Sequence, residues 1–191
     1  MNTRFAPLFA LVSILLTSFT NLAQDGFPDT FITTGAGANW NDPASWASQN
    51  GIDDGINPGS DGIPDGDDEI FILHSLTVAS NQEYGFLEVN NDGGGTFVTL
   101  TVNAGDTLTA INTLHSGVFT VFSSNFSTKY ARAFVSGVIY SYGVGVTSGG
   151  TGGRARLRPL DGAEIHIDGD LSFVASSQAN SLLNLAVNSS S

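Results

Sequence analysis

Cysteine is absent from all 191 residues, so neither a disulfide framework nor a thiolate metal site can hold this chain together. Basic side chains are nearly as scarce: 18 Asp and Glu face 6 Lys and Arg, and none of the six lies between Arg4 and Lys129. A basic patch for phosphate cannot be assembled over the first two thirds of such a chain, which excludes nucleic acid as an expected partner. Helical periodicity of useful length is missing after the first 23 residues, as are a Gly-x-Ser-x-Gly elbow, a His-Glu-x-x-His helix and a phosphate loop. The three histidines, His74, His115 and His166, are scattered.

What the N-terminus does have is an export leader. Arg4 supplies the positive charge, residues 5–19 are almost wholly apolar, and Asn21-Leu22-Ala23 ends on a small residue before Gln24. Pro7 and the polar Thr17, Ser18, Thr20 and Asn21 leave an apolar core shorter than the roughly 20 residues a bilayer span needs, so cleavage after Ala23 is expected and the mature chain has no membrane span. Removal of residues 1–23 leaves about 168 residues, one domain's worth of core. It also leaves 18 acidic against 5 basic groups, a net charge of −13. A secreted or cell-surface location, in a bacterial envelope, follows from the leader and the missing cysteines.

From residue 69 onward the sequence breaks into short β-rich runs at 70–73, 76–78, 86–89, 97–102, 108–111, 118–122, 133–142, 154–157, 165–167, 171–174 and 182–187. Gly, Asn, Asp and Ser fill nearly every gap, and the Gly-rich residues 143–153 are expected to be a loop. The fold class is therefore all-β. Strands at intervals of roughly 8 to 12 residues suit a β-sandwich or jelly roll as well as a solenoid. The repeated order apolar, polar, apolar, Asn at Leu87-Glu88-Val89-Asn90, Leu100-Thr101-Val102-Asn103 and Leu108-Thr109-Ala110-Ile111-Asn112 favours a right-handed parallel β-helix with asparagine amides stacked at its corners. About five or six coils of roughly 20 residues are expected. The domain layout is a leader at 1–23, an N-terminal cap and acidic loop at 24–68, and a solenoid at 69–191 that reads as truncated.

Before the first run lies Trp40-Asn41-Asp42-Pro43-Ala44-Ser45-Trp46, where Asp42 can cap a single helical turn begun by Pro43. Its two indoles are candidates for a sugar-stacking platform, set against the plainer expectation that they cover the end of a β-core. Asp61-Gly62-Ile63-Pro64-Asp65-Gly66-Asp67-Asp68 is the candidate metal loop, with Asp61, Asp65, Asp67 and Asp68 as calcium ligands. It resembles the core of thrombospondin type 3 calcium repeats, although Gly59 replaces the upstream Asp and no second repeat follows. An EF-hand is excluded because Ile63 and Ile72 occupy its third and twelfth positions. The alternative is a solvated linker in which Asp67 and Asp68 only cap the first coil.

Taken together, the Trp-x-Asp-Pro-x-x-Trp stretch, Ile63-Pro64-Asp65-Gly66-Asp67-Asp68-Glu69-Ile70-Phe71-Ile72 and His74-Ser75-Leu76-Thr77-Val78 resemble the opening segment of secreted bacterial adhesin-type proteins with a parallel β-helix. They are similar also to the eight-glycine extracellular domain of some β-helical surface proteins. The resemblance covers residues 38–111, with residues 50–62 as an insertion, and implies a surface domain from the N-terminal part of a longer protein.

Nearer the C-terminus Arg154, Arg156 and Arg158 alternate with Ala155 and Leu157, and Glu164, His166 and Asp168 alternate with Ile165 and Ile167. A hairpin between them would oppose Arg158 to Glu164, Arg156 to His166 and Arg154 to Asp168, whereas parallel stacking would spread the charges along a solenoid face. The expected function is a secreted, non-enzymatic structural or adhesive β-domain that binds a glycan or another surface partner. The alternatives are a polysaccharide-lyase-like enzyme using the Arg154 to Asp168 cluster, and a carbohydrate-binding module using Trp40 and Trp46.

Overall fold

In the computed structural model, residues 29–48, 62–66, 68–91, 97–111, 117–123, 129–149, 153–175 and 182–185 are described. The leader at 1–23 and most of the acidic insertion lie outside them. The strands in chain order are β1 (Thr30–Thr33), β2 (Trp46–Ser48), β3 (Glu69–Ile72), β4 (Leu76–Val78), β5 (Gln82–Tyr84), β6 (Phe86–Asn91), β7 (Phe97–Val102), β8 (Thr107–Ala110), β9 (Val118–Ser123), β10 (Tyr130–Val135), β11 (Val138–Ser141), β12 (Gly143–Ser148), β13 (Arg154–Pro159), β14 (Glu164–Ile167), β15 (Leu171–Ala175) and β16 (Leu182–Leu185).

From β3 onward the chain visits three sheets in strict rotation. Sheet A is ordered β15-β12-β9-β6-β3-β1-β2, sheet B β16-β13-β10-β7-β4, and sheet C β14-β11-β8-β5. Every pairing after β2 is parallel, so each trio of strands is one coil of a three-sided solenoid. The coils are unequal and mostly longer than the expected 20 residues, although Ile70 pairs with Leu87 only 17 positions on. Leu76 pairs with Leu100, 24 positions on, and Leu100 with Ala133, 33 positions on.

Alternation sends every second side chain inward, where it stacks on its counterpart from the coil below. Ile72, Val89, Val121 and Val146 form one such column in sheet A, and Val78, Val102 and Val135 another in sheet B; all are buried. Among the described residues, Asn90 and Asn91 stand in register with Phe122 and Ser123 and not with asparagine. The inward polar column at the end of sheet A is Asn91, Ser123 and Ser148, with Asn91 Nδ2 donating to Tyr130 O at 3.0 Å and the Ser123 hydroxyl to Lys129 O at 3.0 Å. Asn91 and Ser123 thus satisfy two carbonyls at the start of β10, where the chain enters sheet B.

Two other expectations are corrected. Residues 133–142 are not one strand, because the chain bends at Ser136 and Gly137 to leave sheet B for sheet C. Gly143–Ser148 is not loop but strand β12, whose Gly145 passes closely over Thr120 of the coil below.

At the N-terminal end, β1 adds in parallel to β3 and β2 closes that edge antiparallel to β1. Residues 38–40 extend sheet B over β4, with Trp40 N donating to Thr77 O at 3.0 Å and Thr77 N to Ala38 O at 2.9 Å. At the other end Leu171 and Phe173, in register with buried Val144 and Val146, are partly exposed.

Because Leu100 is fully buried in mid-column, Leu100→Ala is expected to cost about 2 to 5 kcal/mol in urea denaturation, with no change in the far-ultraviolet signature of parallel strands.

Candidate functional site

The outer face of sheet C carries outward side chains in rows that run across the coils. Pairing puts Glu83, Thr109, Tyr140 and His166 in one outward row across four successive coils. A hollow of about 550 Å³ at the N-terminal end is lined by Asn41, Asp65, Asn81, Gln82, Glu83 and Thr109, among others. A second, of about 420 Å³, is lined by Thr109, Tyr140, Tyr142, His166 and Asp168. Thr109 borders both, so the two hollows adjoin along the outer face of sheet C, and together they are called the trough.

The walls are held in place by contacts behind them. Tyr140 and Tyr142 are 44% and 42% exposed, and the Tyr140 ring lies 4.6 Å from the His166 ring at 14°, a stacked pair one coil apart. His166 Nε2 is 2.9 Å from Glu164 Oε2. Under Tyr140, the inward-facing Tyr84 donates its hydroxyl to Tyr140 O at 3.2 Å; burial pushes the Tyr84 phenol far above its ordinary range, so it remains a neutral donor. Tyr142 packs over Gly117, whose φ of +61° and missing Cβ make room for the ring. At the cap end Gln82 Nε2 donates to Asn41 Oδ1 at 2.7 Å and to Ser80 Oγ at 2.6 Å, which pre-orders the polar floor.

The residues singled out from sequence have different places. Trp40 and Trp46 are buried in an edge-to-face cluster, their centroids 5.1 Å apart at 71°, with Phe31 6.4 Å from Trp46. Trp46 Nε1 donates to Trp40 O at 2.7 Å, and Asp42 caps the turn Pro43–Ser45 by accepting from Ala44 N at 3.0 Å. Their faces close the core and are not presented to solvent.

Asp61 and Asp67 lie outside the described residues. Asp65 and Asp68 are both buried. Asp68 ties the acidic loop to β1: one carboxylate oxygen accepts from Asp29 N at 3.1 Å and the other from Asp65 N at 2.8 Å. Among the described residues, no group of three or more His, Asp or Glu could hold a metal ion.

Of the two arrangements open to the Arg and acid rows, the structure has parallel stacking and not the hairpin. β13 belongs to sheet B and β14 to sheet C, and each pairs in parallel with strands of other coils, so Arg156 stands beside Arg132 and His166 beside Tyr140. Parallel stacking has spread the two charge rows over separate faces. Tyr140 and Tyr142 were missed by sequence reasoning; their spacing by two was visible, but their partnership with His166 and Asp168 depends on the register between β11 and β14.

Compared with known protein families, curated proteins and solved structures, the chain matches none.

Replacing Asp68 by Ala strands two buried backbone donors, and a loss of about 1 to 3 kcal/mol is expected by thermal or urea unfolding. A Leu at the same position should be no better tolerated, since the donors would stay unpaired.

Proposed function

We propose that this is a secreted cell-surface structural or adhesive β-domain, from the N-terminal part of a larger surface protein, and that it binds a glycan in the trough along sheet C. The observation that carries the proposal is the adjacency of the two hollows at Thr109, with two half-exposed tyrosines at one end and carboxylate and amide groups at the other. Sugar rings offer apolar C–H faces to aromatic side chains and hydroxyls to acids and amides, and a shallow open groove accepts a chain of them without enclosing it. A surface that binds without turnover needs nothing more. A lyase-like enzyme on the Arg154 to Asp168 cluster is less well supported, since the arginines and the acid–His row occupy different faces.

On a glycan array followed by titration of the best hit, Tyr140→Ala and Tyr142→Ala are each expected to weaken binding by roughly tenfold while leaving the melting temperature nearly unchanged. Undiminished binding by the double variant removes the trough as the site.

Calcium in the acidic loop is a separate proposal, resting on the spacing of Asp61, Asp65, Asp67 and Asp68. It expects a higher melting temperature in millimolar calcium than in chelator, and equal values dispose of it.

A further inference from the structure

Apart from Arg4, every basic residue of the chain falls on or immediately before β10 and β13: Lys129, Arg132, Arg154, Arg156 and Arg158. We propose that the outer face of sheet B is a second binding surface, built for an extended acidic polysaccharide that carries a carboxylate or sulfate on successive sugars.

Register makes a grid of these residues. Phe97, Tyr130 and Arg154 form one outward column, Thr99, Arg132 and Arg156 the next, and Thr101, Phe134 and Arg158 a third. Neighbouring coils lie about 4.8 Å apart and alternate residues of β13 about 6.7 Å apart, so three arginines form a row along β13 and Arg132 stands beside Arg156 one coil away. Phe97 is 49% exposed and stacks on Tyr130 at 4.9 Å and 24°.

None of the four arginines is ion-paired to a carboxylate among the described residues, in a chain with three times as many acids as bases. Rings and a hydroxyl position two of them instead. The Arg132 guanidinium lies 4.4 Å from the Phe97 centroid and 5.2 Å from that of Phe134, and its Nε and Nη2 donate to Thr99 Oγ1 at 3.1 and 2.9 Å. Arg154 lies 5.0 Å over Tyr130. Partial burial, and then repulsion from Arg156, lower the pKa of Arg132, so the face gains from an incoming anion. Cations held flat on aromatic rings and left without internal counterions suit a ligand that brings both negative charge and ring faces.

Charge density selects the occupant. A nucleic acid duplex carries a charge about every 1.7 Å and demands a broad basic footprint, which four arginines on a strongly acidic protein do not supply. One anion per sugar is a sparser match to the row of three guanidinium groups along β13.

The test uses the purified chain on immobilised polygalacturonate and dextran sulfate, with neutral dextran and poly(dT) as comparators. The wild type is expected to bind both acidic polysaccharides and not dextran, with affinity falling roughly tenfold or more between low and high salt. Arg154→Gln/Arg156→Gln/Arg158→Gln should weaken binding by at least about tenfold with an unchanged melting temperature, and the single exposed Arg158→Gln by about two- to fourfold, which keeps the test decisive if the triple variant does not fold. The Tyr140→Ala/Tyr142→Ala variant should bind the polyanions normally, which separates this face from the trough of sheet C. The proposal is overturned if the wild type ignores both polyanions, if the Arg variants bind as well as wild type, if salt has no effect, if the tyrosine variant loses polyanion binding, or if poly(dT) is bound more tightly than either polysaccharide.

Discussion

Parallel registry is the constraint on which everything else in this molecule rests. Once strands of the same sheet stack in register, the side chain at each inward position must fit directly above the one below it, at a spacing of about 4.8 Å. Val89 on Ile72, Val121 on Val89 and Val146 on Val121 meet that demand with residues of nearly one size and shape. Where the column must be polar, at the corner leaving sheet A, the chain keeps the residues small: Asn91, then Ser123, then Ser148. Ser123 donates to a carbonyl on its own strand's onward path and Asn91 to one in the next coil, so the corner is held without a disulfide or a metal.

A solenoid built this way exposes a ladder edge at each end, and the N-terminal edge is closed strand by strand. Residues before β3 supply β1 and β2 for sheet A and a short bridge at 38–40 for sheet B. The Trp-x-Asp-Pro-x-x-Trp stretch is the part that makes this closure rigid, because its capped turn brings two indoles together over the first coil. Burying both rings removes more apolar surface from water than any aliphatic pair at that edge would, which is a sufficient reason for tryptophan there.

The class of fold was legible in the sequence because period-two alternation survives in short segments: Leu-Glu-Val at 87–89 and Leu-Thr-Val at 100–102 each announce one inward and one outward face. Register was not legible. Coils of 24 and 33 residues differ through connections such as 111–117 and 124–129, and no fixed period in the sequence aligns Tyr140 with His166 or Arg132 with Arg156. Local reasoning therefore leaves open both a hairpin that opposes Arg158 to Glu164 across the nearest turn and a parallel stack that separates them. In a parallel solenoid that turn is a corner, and nearest neighbours in sequence end on different faces. Tyr140 and Tyr142 suffered the opposite error: unremarkable as single residues, they become a wall of the trough only when coils two apart in chemistry are brought one rung apart in space.

The same geometry explains how one chain keeps oppositely charged surfaces without neutralising them. Outward residues of one sheet stack only on the same sheet, so β10 and β13 accumulate arginines while sheet C accumulates Glu83, Glu164 and Asp168. Arginines in adjacent coils repel one another, and the cost is tolerated because the inward columns beneath them, Ala131 with Ala155 and Ala133 with Leu157, are tightly buried and fix the strands regardless of what the outer face carries. Stability thus resides in the columns, and the outer faces are left free to be specified by what they meet. A cationic face and an acidic trough on one rigid rod are what that separation makes available.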